Sequence, residues 1–362
     1  MCGDDAFATC SRDKTVRVWR EAIGGVGFAC STVCAGHQSF VTALAYAPAT
    51  NSVVSGGRDK KLIAWDPATG DAKATMVGHE LDVTAVCILS DGRIASGSMD
   101  KTIKIYDPAK SYECVETLTG HESSVLALVA LPAAQGGGFL SGSADSTIRA
   151  WKNAAGDGVV FGRHADTVRG LAINGPASLV LSASHDTTAR AWTAAGAVVA
   201  DFRGHSALVY AVASSVCGSK VITGSEDDTA RVWLVSGVCV QTIPHPGCVW
   251  SVAFLPNADA VTCCADGAVR MWSAETARHD PDAAKSLDEL MTRRTAERAQ
   301  KSLADAQSKL KTEAPSALLT PGDRDGATKV IKEEGGVVAA YAWSAASATW
   351  ERLGEVTGVS GD

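Results

Sequence analysis

The chain has 362 residues with a formal charge of -7, and 46% of its residues are hydrophobic while 20% are charged. This balance is that of an ordinary globular protein. The acidic charge disfavours a general nucleic-acid or acidic-membrane surface, because such surfaces need a basic excess. The longest apolar run, from Val125 to Leu131, is far shorter than the roughly 18 residues of a membrane span. We therefore expect neither nucleic acid nor membrane as a partner.

The amino-terminal 20 residues contain no apolar segment of the kind that signal peptides carry. Eleven cysteines are scattered through the chain, and without a secretory signal they indicate reduced thiols. These features exclude secreted and collagen-like proteins and predict a cytoplasmic and nuclear location.

One segment recurs seven times, and such internal repeats decide the fold. SGGRDKKLIAW, SGSADSTIRAW and TGSEDDTARVW are three of its copies, and the copies end 39 to 46 residues apart. In each copy an Asp lies six residues before the last aromatic residue, and a Ser or Thr lies four residues before the Asp. The aspartates are Asp13, Asp59, Asp100, Asp145, Asp186, Asp227 and Asp266, and the aromatic ends are Trp19, Trp65, Tyr106, Trp151, Trp192, Trp233 and Trp272.

Six of the eight histidines belong to the same pattern. Each of them lies 21 to 24 residues before one of the aspartates. They are His37, His79, His121, His164, His205 and His245. Between these markers, runs such as FVTALAYAP and LVYAVASSV have the length and composition of strands and are bounded by turn residues.

Each repeat of about 41 residues predicts four short strands, a, b, c and d, which cannot bury both faces of their sheet alone. Packing the units around an axis solves this problem, so the sequence predicts an all-β, seven-bladed β-propeller. The Asp falls in the b–c turn and the His in the d–a loop, which lie at the same end of a sheet. We expect the His to bridge the Asp and the strand-b hydroxyl, with the Trp indole donating a further bond.

These markers resemble the WD40 repeat family over residues 1–278, and only Trp65-Asp66 carries the literal WD pair. The pattern departs where Tyr106 replaces Trp, where Arg163 precedes its His, and where prolines flank His245. Asp13 has no upstream His, and no fourth strand is visible after Trp272. We therefore expect incomplete first and last blades with an open or badly closed seam, and a start that is truncated.

Past the propeller, residues 279–314 are rich in Ala, Lys, Arg, Glu and Leu and predict a helical linker. Residues 315–362 predict three short strands that contain Tyr341, Trp343 and Trp350. A propeller followed by PGDRDGATKVI, AYAW and WERLGEV resembles the phospholipase A2-activating protein family, in which a PFU ubiquitin-binding domain follows the repeats. The resemblance covers only the amino-terminal part of a PFU domain.

The resemblance implies a non-enzymatic ubiquitin-binding adaptor in ubiquitin-dependent protein degradation, whose partners are ubiquitin and ubiquitinated proteins. In that family a further carboxy-terminal domain docks the valosin-containing-protein ATPase, so this partner is expected only if such a domain exists. The alternative is a generic WD40 scaffold unrelated to ubiquitin.

Catalytic and metal-binding interpretations are weak. Cys30, Cys34 and His37 lack a fourth zinc ligand at suitable spacing, and His37 already belongs to the repeat. The Ser, His and Asp sets resemble hydrolytic triads, but their repetition argues against catalysis, which needs one activated set in one cleft. We expect no catalytic residue, no metal and no cofactor.

Function is then expected on a propeller face. Residues just before each turn Asp, and residues three and five positions after each loop His, should surround the axial opening. Aromatic and Arg residues among them are favoured, because these types are enriched at interaction hot spots. The candidates for partner binding are Phe40, Arg58, Arg169, His185, Leu208, Tyr210 and Trp250, with Tyr341, Trp343 and Trp350 in the PFU region.

Overall fold

A computed structural model of the chain describes residues 6–21, 28–132, 137–152, 158–272, 285–297, 300–301, 328–332, 338–344 and 349–355. It contains two compact units, Met1–Asp280 and Pro281–Asp362. The predicted domain boundaries at residues 278 and 314 lie outside the described residues. Among the described residues, no helix has the length and apolar character needed to cross a membrane.

The first unit contains seven antiparallel sheets, which are the blades of the predicted propeller. The first blade contains β1 (Ala6–Cys10), β2 (Thr15–Glu21) and β3 (Phe28–Ala35), and the second β4 (Val41–Ala47), β5 (Ser52–Gly57), β6 (Leu62–Trp65) and β7 (Ala72–Met76). The third contains β8 (Val83–Ile88), β9 (Ile94–Ser98), β10 (Ile103–Asp107) and β11 (Glu113–Leu118), and the fourth β12 (Val125–Ala130), β13 (Phe139–Ser143), β14 (Thr147–Trp151) and β15 (Val159–Arg163).

The remaining blades follow in chain order. The fifth contains β16 (Val168–Asn174), β17 (Leu179–Ser184), β18 (Ala189–Trp192) and β19 (Val198–Phe202), the sixth β20 (Val209–Ser214), β21 (Lys220–Ser225), β22 (Thr229–Leu234) and β23 (Cys239–Pro244), and the seventh β24 (Val249–Phe254), β25 (Ala260–Cys264) and β26 (Val269–Trp272). The strands of each blade pair in chain order, so every blade is a meander.

The core lies between the blades. The first strands of successive four-stranded blades pack against one another, and each begins with a buried Val. Val83, Val125, Val168 and Val209 are each 0% exposed. A β-branched side chain suits a pleated surface that is covered on both faces, so one Val per repeat supplies the contact between neighbouring blades.

The prediction of incomplete first and last blades is confirmed. In the described residues both blades have three strands: the first lacks an inner strand a, and the seventh lacks an outer strand d. Phe7 of β1 packs with Leu255 and Val261 of the seventh blade, so side chains cross the seam. A cavity of about 90 Å³ remains there, lined among others by Thr9, Ser251 and Cys263.

The second unit contains a helix, α1 (residues 285–297), within the predicted linker. It also contains a three-stranded sheet of β27 (Thr328–Lys332), β28 (Val338–Ser344) and β29 (Thr349–Glu355). The strands pair in chain order as two antiparallel hairpins, as the sequence predicted.

Candidate partner-binding face

The seven aspartate turns join the second and third strands of the blades and share one backbone conformation. The residue after each Asp has a positive φ, from 63° at Asp228 to 85° at Gly267. In the fifth blade, Asp186 accepts bonds from the backbone N–H of Thr188 at 3.0 Å and from its hydroxyl at 2.6 Å. Such side-chain bonds to the local backbone stabilise tight turns, which explains why Asp recurs here.

Behind the turn of the fifth blade lies the predicted network of four side chains. The indole N–H of Trp192 donates to the Ser182 hydroxyl at 2.7 Å. Because this oxygen accepts the indole proton, its own proton is directed to Nε2 of His164, at 2.7 Å. Nδ1 of His164 then carries the ring proton and donates it to Asp186 at 2.8 Å. Only this sequence of donors and acceptors gives all four side chains a hydrogen-bond partner.

The same network occurs in the second, fourth and sixth blades, which confirms the interpretation of the repeat. In the third blade His79 makes the two expected bonds to Ser96 and Asp100. Tyr106 takes the place of Trp there, and its hydroxyl donates to the Val77 carbonyl at 3.4 Å.

The prediction that His245 bridges to Asp266 is wrong. Nδ1 of His245 bonds the Ile243 carbonyl at 3.0 Å, and Asp266 pairs with Arg270 at 2.6 Å. The cause lies in the residue after the histidine. In the five preceding blades this residue donates its backbone N–H to the turn Asp, whereas Pro246 has no N–H to donate. Without that bond the loop does not hold Asp266, which pairs with Arg270 instead.

These networks are structural. The hydroxyl-bearing residue Ser182 is 0% exposed, and both ring nitrogens of His37 are occupied by Asp59 and Ser55. No substrate carbonyl can reach such a hydroxyl. Within the part of the chain that the structure describes, no cluster of three or more His, Cys, Asp or Glu could hold a metal ion.

The turn and loop residues selected from the sequence meet at one end of the propeller. In six blades the backbone N–H of the residue before the turn Asp donates to the carbonyl of the residue three positions after the loop His. Arg58 and Phe40 are joined in this way at 2.8 Å, and Glu226 and Leu208 at 2.9 Å. Each of these six blades therefore presents one residue of each set side by side.

Six of these side chains form a continuous row across five blades, which we call the aromatic arc. Its members, in order, are Arg58, Phe40, Arg12, Trp250, Tyr210 and His185. The guanidinium carbon of Arg58 lies 5.4 Å from the Phe40 ring centroid. The Tyr210 and Trp250 rings stack at 4.6 Å, and the His185 ring meets Tyr210 edge-on at 5.7 Å.

Arg169 lies next to the arc, and burial lowers the pKa of its guanidinium. Its Nη1 donates to the Leu126 carbonyl at 3.2 Å. Burial, reinforced by Glu226, raises the pKa of Tyr210 to about 12, so Tyr210 keeps its hydroxyl proton at neutral pH. Leu208 is half-buried at the same end of the sixth blade.

The structure thus brings Phe40, Arg58, His185, Tyr210 and Trp250 into one row. It adds Arg12, which the sequence places in the same set of face residues as Arg58, just before the first turn Asp, but which was not selected as a partner-binding candidate. Its equivalence to Arg58 in the repeat was the signal that could have identified it.

The PFU candidates lie on the sheet of the second unit. Tyr341 and Trp343 are on β28 and Trp350 is on β29, and the backbone register places Trp343 opposite Trp350. Tyr341 is opposite Arg352.

The buried networks predict a loss of stability in acid. Burial lowers the pKa of His79 and of His121 below the usual 6.5, so both stay neutral in the fold and gain a proton on unfolding. Burial opposes the ionisation of Asp100 and Asp145, but hydrogen bonds from a Thr and a His outweigh it and hold each pKa at about 2.

All four folded-state pKa values are depressed, so their stabilising contribution is complete above the unfolded pKa and is lost as pH falls. We expect the urea midpoint to be nearly constant from pH 7 to about 8, to decline below about pH 6.5 as histidines titrate, and to decline again below about pH 4 as carboxylates titrate. Equilibrium unfolding followed by Trp fluorescence tests this profile. A midpoint that rises between pH 7 and 5 contradicts it.

Comparison with protein families matches the WD-repeat profile (WD domain, G-beta repeat) to residues 2–20, 28–66, 70–107, 112–152, 158–193, 196–233 and 237–273. The chain belongs to the WD40-repeat family. Residues 320–362 match the PFU family, described as PLAA family ubiquitin binding. The predicted order, a WD40 propeller followed by a PFU domain, is confirmed.

Among solved structures, the WD40 β-propeller domain of Doa1 is similar, with a TM-score of 0.68 and 29% identity over 77% of this chain and 93% of that one. Curated relatives include the nuclear distribution protein PAC1 of Coccidioides posadasii, 33% identical over 40% of this chain and 34% of the relative. The ribosome biogenesis protein WDR12 homolog of Ixodes scapularis is 30% identical over 40% of this chain and 34% of the relative. The chain spans about a third of the length of these curated relatives.

Proposed function

We propose that this chain is a non-enzymatic, ubiquitin-binding adaptor of ubiquitin-dependent protein degradation and ubiquitin recycling, acting in the cytoplasm and nucleus. The single observation that carries the proposal is the PFU match at residues 320–362 after a propeller similar to that of Doa1. A propeller alone would be equally consistent with a generic WD40 scaffold, since the curated relatives are named for nuclear distribution and ribosome biogenesis.

The aromatic arc supports a protein partner on the propeller face. Trp250 remains 40% exposed although it stacks on Tyr210. Exposed Trp, Tyr and Arg side chains in contact are typical of interaction hot spots. An apolar patch on ubiquitin would cover Trp250 and Tyr210, and Arg58 at the end of the arc would contact polar groups at its rim.

A second site in the PFU region would act together with the face. Two weak sites on one chain favour linked ubiquitins over a single ubiquitin, because the second binding event becomes intramolecular. We therefore propose ubiquitin chains as the preferred ligand of the full protein.

The test is a titration of isotope-labelled ubiquitin with the full chain, followed by NMR and repeated with Trp250→Ala. Truncation of a hot-spot aromatic residue costs about 2 kcal/mol, which is roughly a 30-fold rise in Kd for the propeller site. Val199→Ala is the matched control, because Val199 is 53% exposed on the outer strand β19 and away from the arc.

Three outcomes separate the possibilities. Loss of affinity in Trp250→Ala but not in Val199→Ala supports the face as the ubiquitin site. Unchanged affinity in both Trp250→Ala and Tyr210→Ala contradicts the face assignment and leaves only the PFU region. If the wild-type chain binds no ubiquitin, the proposed function is wrong and the scaffold alternative is favoured.

A further inference from the structure

The seam between the first and seventh blades lies directly behind the centre of the aromatic arc. Two features weaken it relative to the other blade contacts. The described residues of the first blade supply no inner strand to pack against β24, and the cavity of about 90 Å³ lies at this place. In addition, these two blades are the ones whose turn Asp pairs with an Arg in place of a His: Asp13 with Arg17, and Asp266 with Arg270.

Arg12 crosses this seam at the binding face. It belongs to the turn between β1 and β2 in the first blade, and its guanidinium carbon lies 5.5 Å from the Trp250 ring centroid in the seventh blade. The same carbon lies 5.9 Å from the Phe40 centroid in the second blade. Without Arg12 the arc would divide into two groups, Arg58 with Phe40 and Trp250 with Tyr210 and His185.

Arg12 also differs from Arg58 in its charge partner. Nε of Arg58 lies 3.6 Å from Oδ2 of Asp82. Within the described residues, no ion pair involves Arg12. A guanidinium carries five N–H donors in a planar fork. Arg12 is exposed while its guanidinium carbon lies over two rings, so an acidic or carbonyl group of a ligand could accept its protons.

From these contacts we propose that Arg12 is a partner-binding residue that couples occupation of the face to closure of the seam. The proposal rests on the proposed function, and it specifies that the partner places an acceptor group next to the apolar surface that covers Trp250. A ligand on the arc desolvates Arg12, and cation–π contacts strengthen on desolvation. By linkage, a ligand that stabilises the closed seam binds more tightly when the seam is closed.

Hydrogen exchange of the full chain, with and without ubiquitin, tests the coupling in the wild type, Arg12→Ala and Arg12→Lys. Without ligand we expect Arg12→Ala to speed exchange in β1 and β24 about threefold, with β12 and β13 across the ring unchanged. Saturating ubiquitin should slow exchange in β1 of the wild type but not of Arg12→Ala. Arg12→Lys keeps the charge without the planar fork and should lie between them.

The control is Arg17→Ala, in the same blade: the Arg17 side chain is 45% exposed and pairs with the exposed Asp13. Ubiquitin affinity should fall roughly tenfold in Arg12→Ala and change less than about twofold in Arg17→Ala. Equal exchange in ligand-free wild type and Arg12→Ala overturns the seam bridge. Protection of β24 without protection of β1 overturns the coupling.

Failure of the proposed function gives a different result. If ubiquitin does not bind the wild type, the proposed function is wrong, and so is the coupling of ubiquitin binding to closure of the seam. The comparison of ligand-free proteins still decides whether Arg12 holds the two blades together.

Discussion

Replacing Asp186 by Ala is expected to lower the free energy of unfolding by about 3 kcal/mol, because removing one partner of a buried hydrogen-bonded pair leaves the other unsatisfied. Asp186 accepts bonds from His164 at 2.8 Å, from the backbone N–H of Ala165 at 3.1 Å and from Thr188. Its side chain is 9% exposed and that of His164 is 0% exposed. The Ala variant leaves the Nδ1 proton of His164 without an acceptor.

Asp13→Ala is the matched control, because Asp13 occupies the same position of the repeat without a histidine partner. Its side chain is 42% exposed, and it bonds Thr15 and Arg17. We expect a loss of less than about 1 kcal/mol, since exposed ion pairs contribute little. Urea unfolding of both variants, followed by Trp fluorescence, measures the difference. Equal losses would mean that the histidine network contributes nothing beyond the turn itself.

The repeat markers predicted most of the fold because each has a local physical cause. An Asp that accepts bonds from the residue two positions later defines the b–c turn, and a Ser beneath a Trp fixes the neighbouring strands. These bonds depend on spacing along the chain, which can be read from one sequence. The same arithmetic predicted the three strands that the described residues of the first and seventh blades form, since Asp13 has no upstream His and the sequence after Trp272 carries no fourth-strand pattern.

The sequence did not reveal the features that depend on contacts between residues far apart in the chain. Pro246 was visible, but its effect required knowing that the preceding blades use the corresponding N–H to hold the Asp. The position of Arg12 between Phe40 and Trp250 depends on how the first and seventh blades approach each other across the seam. Repeat spacing defines a blade, whereas closure of the ring depends on side-chain packing between blades.

Gly97→Ala is expected to lower the free energy of unfolding by about 2 kcal/mol, because overpacking a close-packed core forces neighbouring side chains to shift. Gly97 lies on β9, where an added Cβ would be 2.6 Å from Cγ1 of Val125 on the next blade. Val125 is 0% exposed, so it has no room to move aside. Gly175→Ala is the control, since an added Cβ there meets nothing within 4 Å. Its effect should stay within about 0.5 kcal/mol.

The fifth blade shows why the position matters and supplies a second variant. Gly97 is paired with Ala85 across the strands, whereas in the fifth blade the order is reversed and Gly170 is paired with Ala183. The second to sixth blades each pair one Gly with one Ala at this position, whereas the seventh pairs Ser251 with Cys263. The double variant Gly97→Ala with Ala85→Gly reproduces the fifth-blade pair, and we expect it to recover about half of the loss, as neighbouring sites are coupled. If Gly97→Ala alone is as stable as Gly175→Ala, glycine at this position does not control blade spacing.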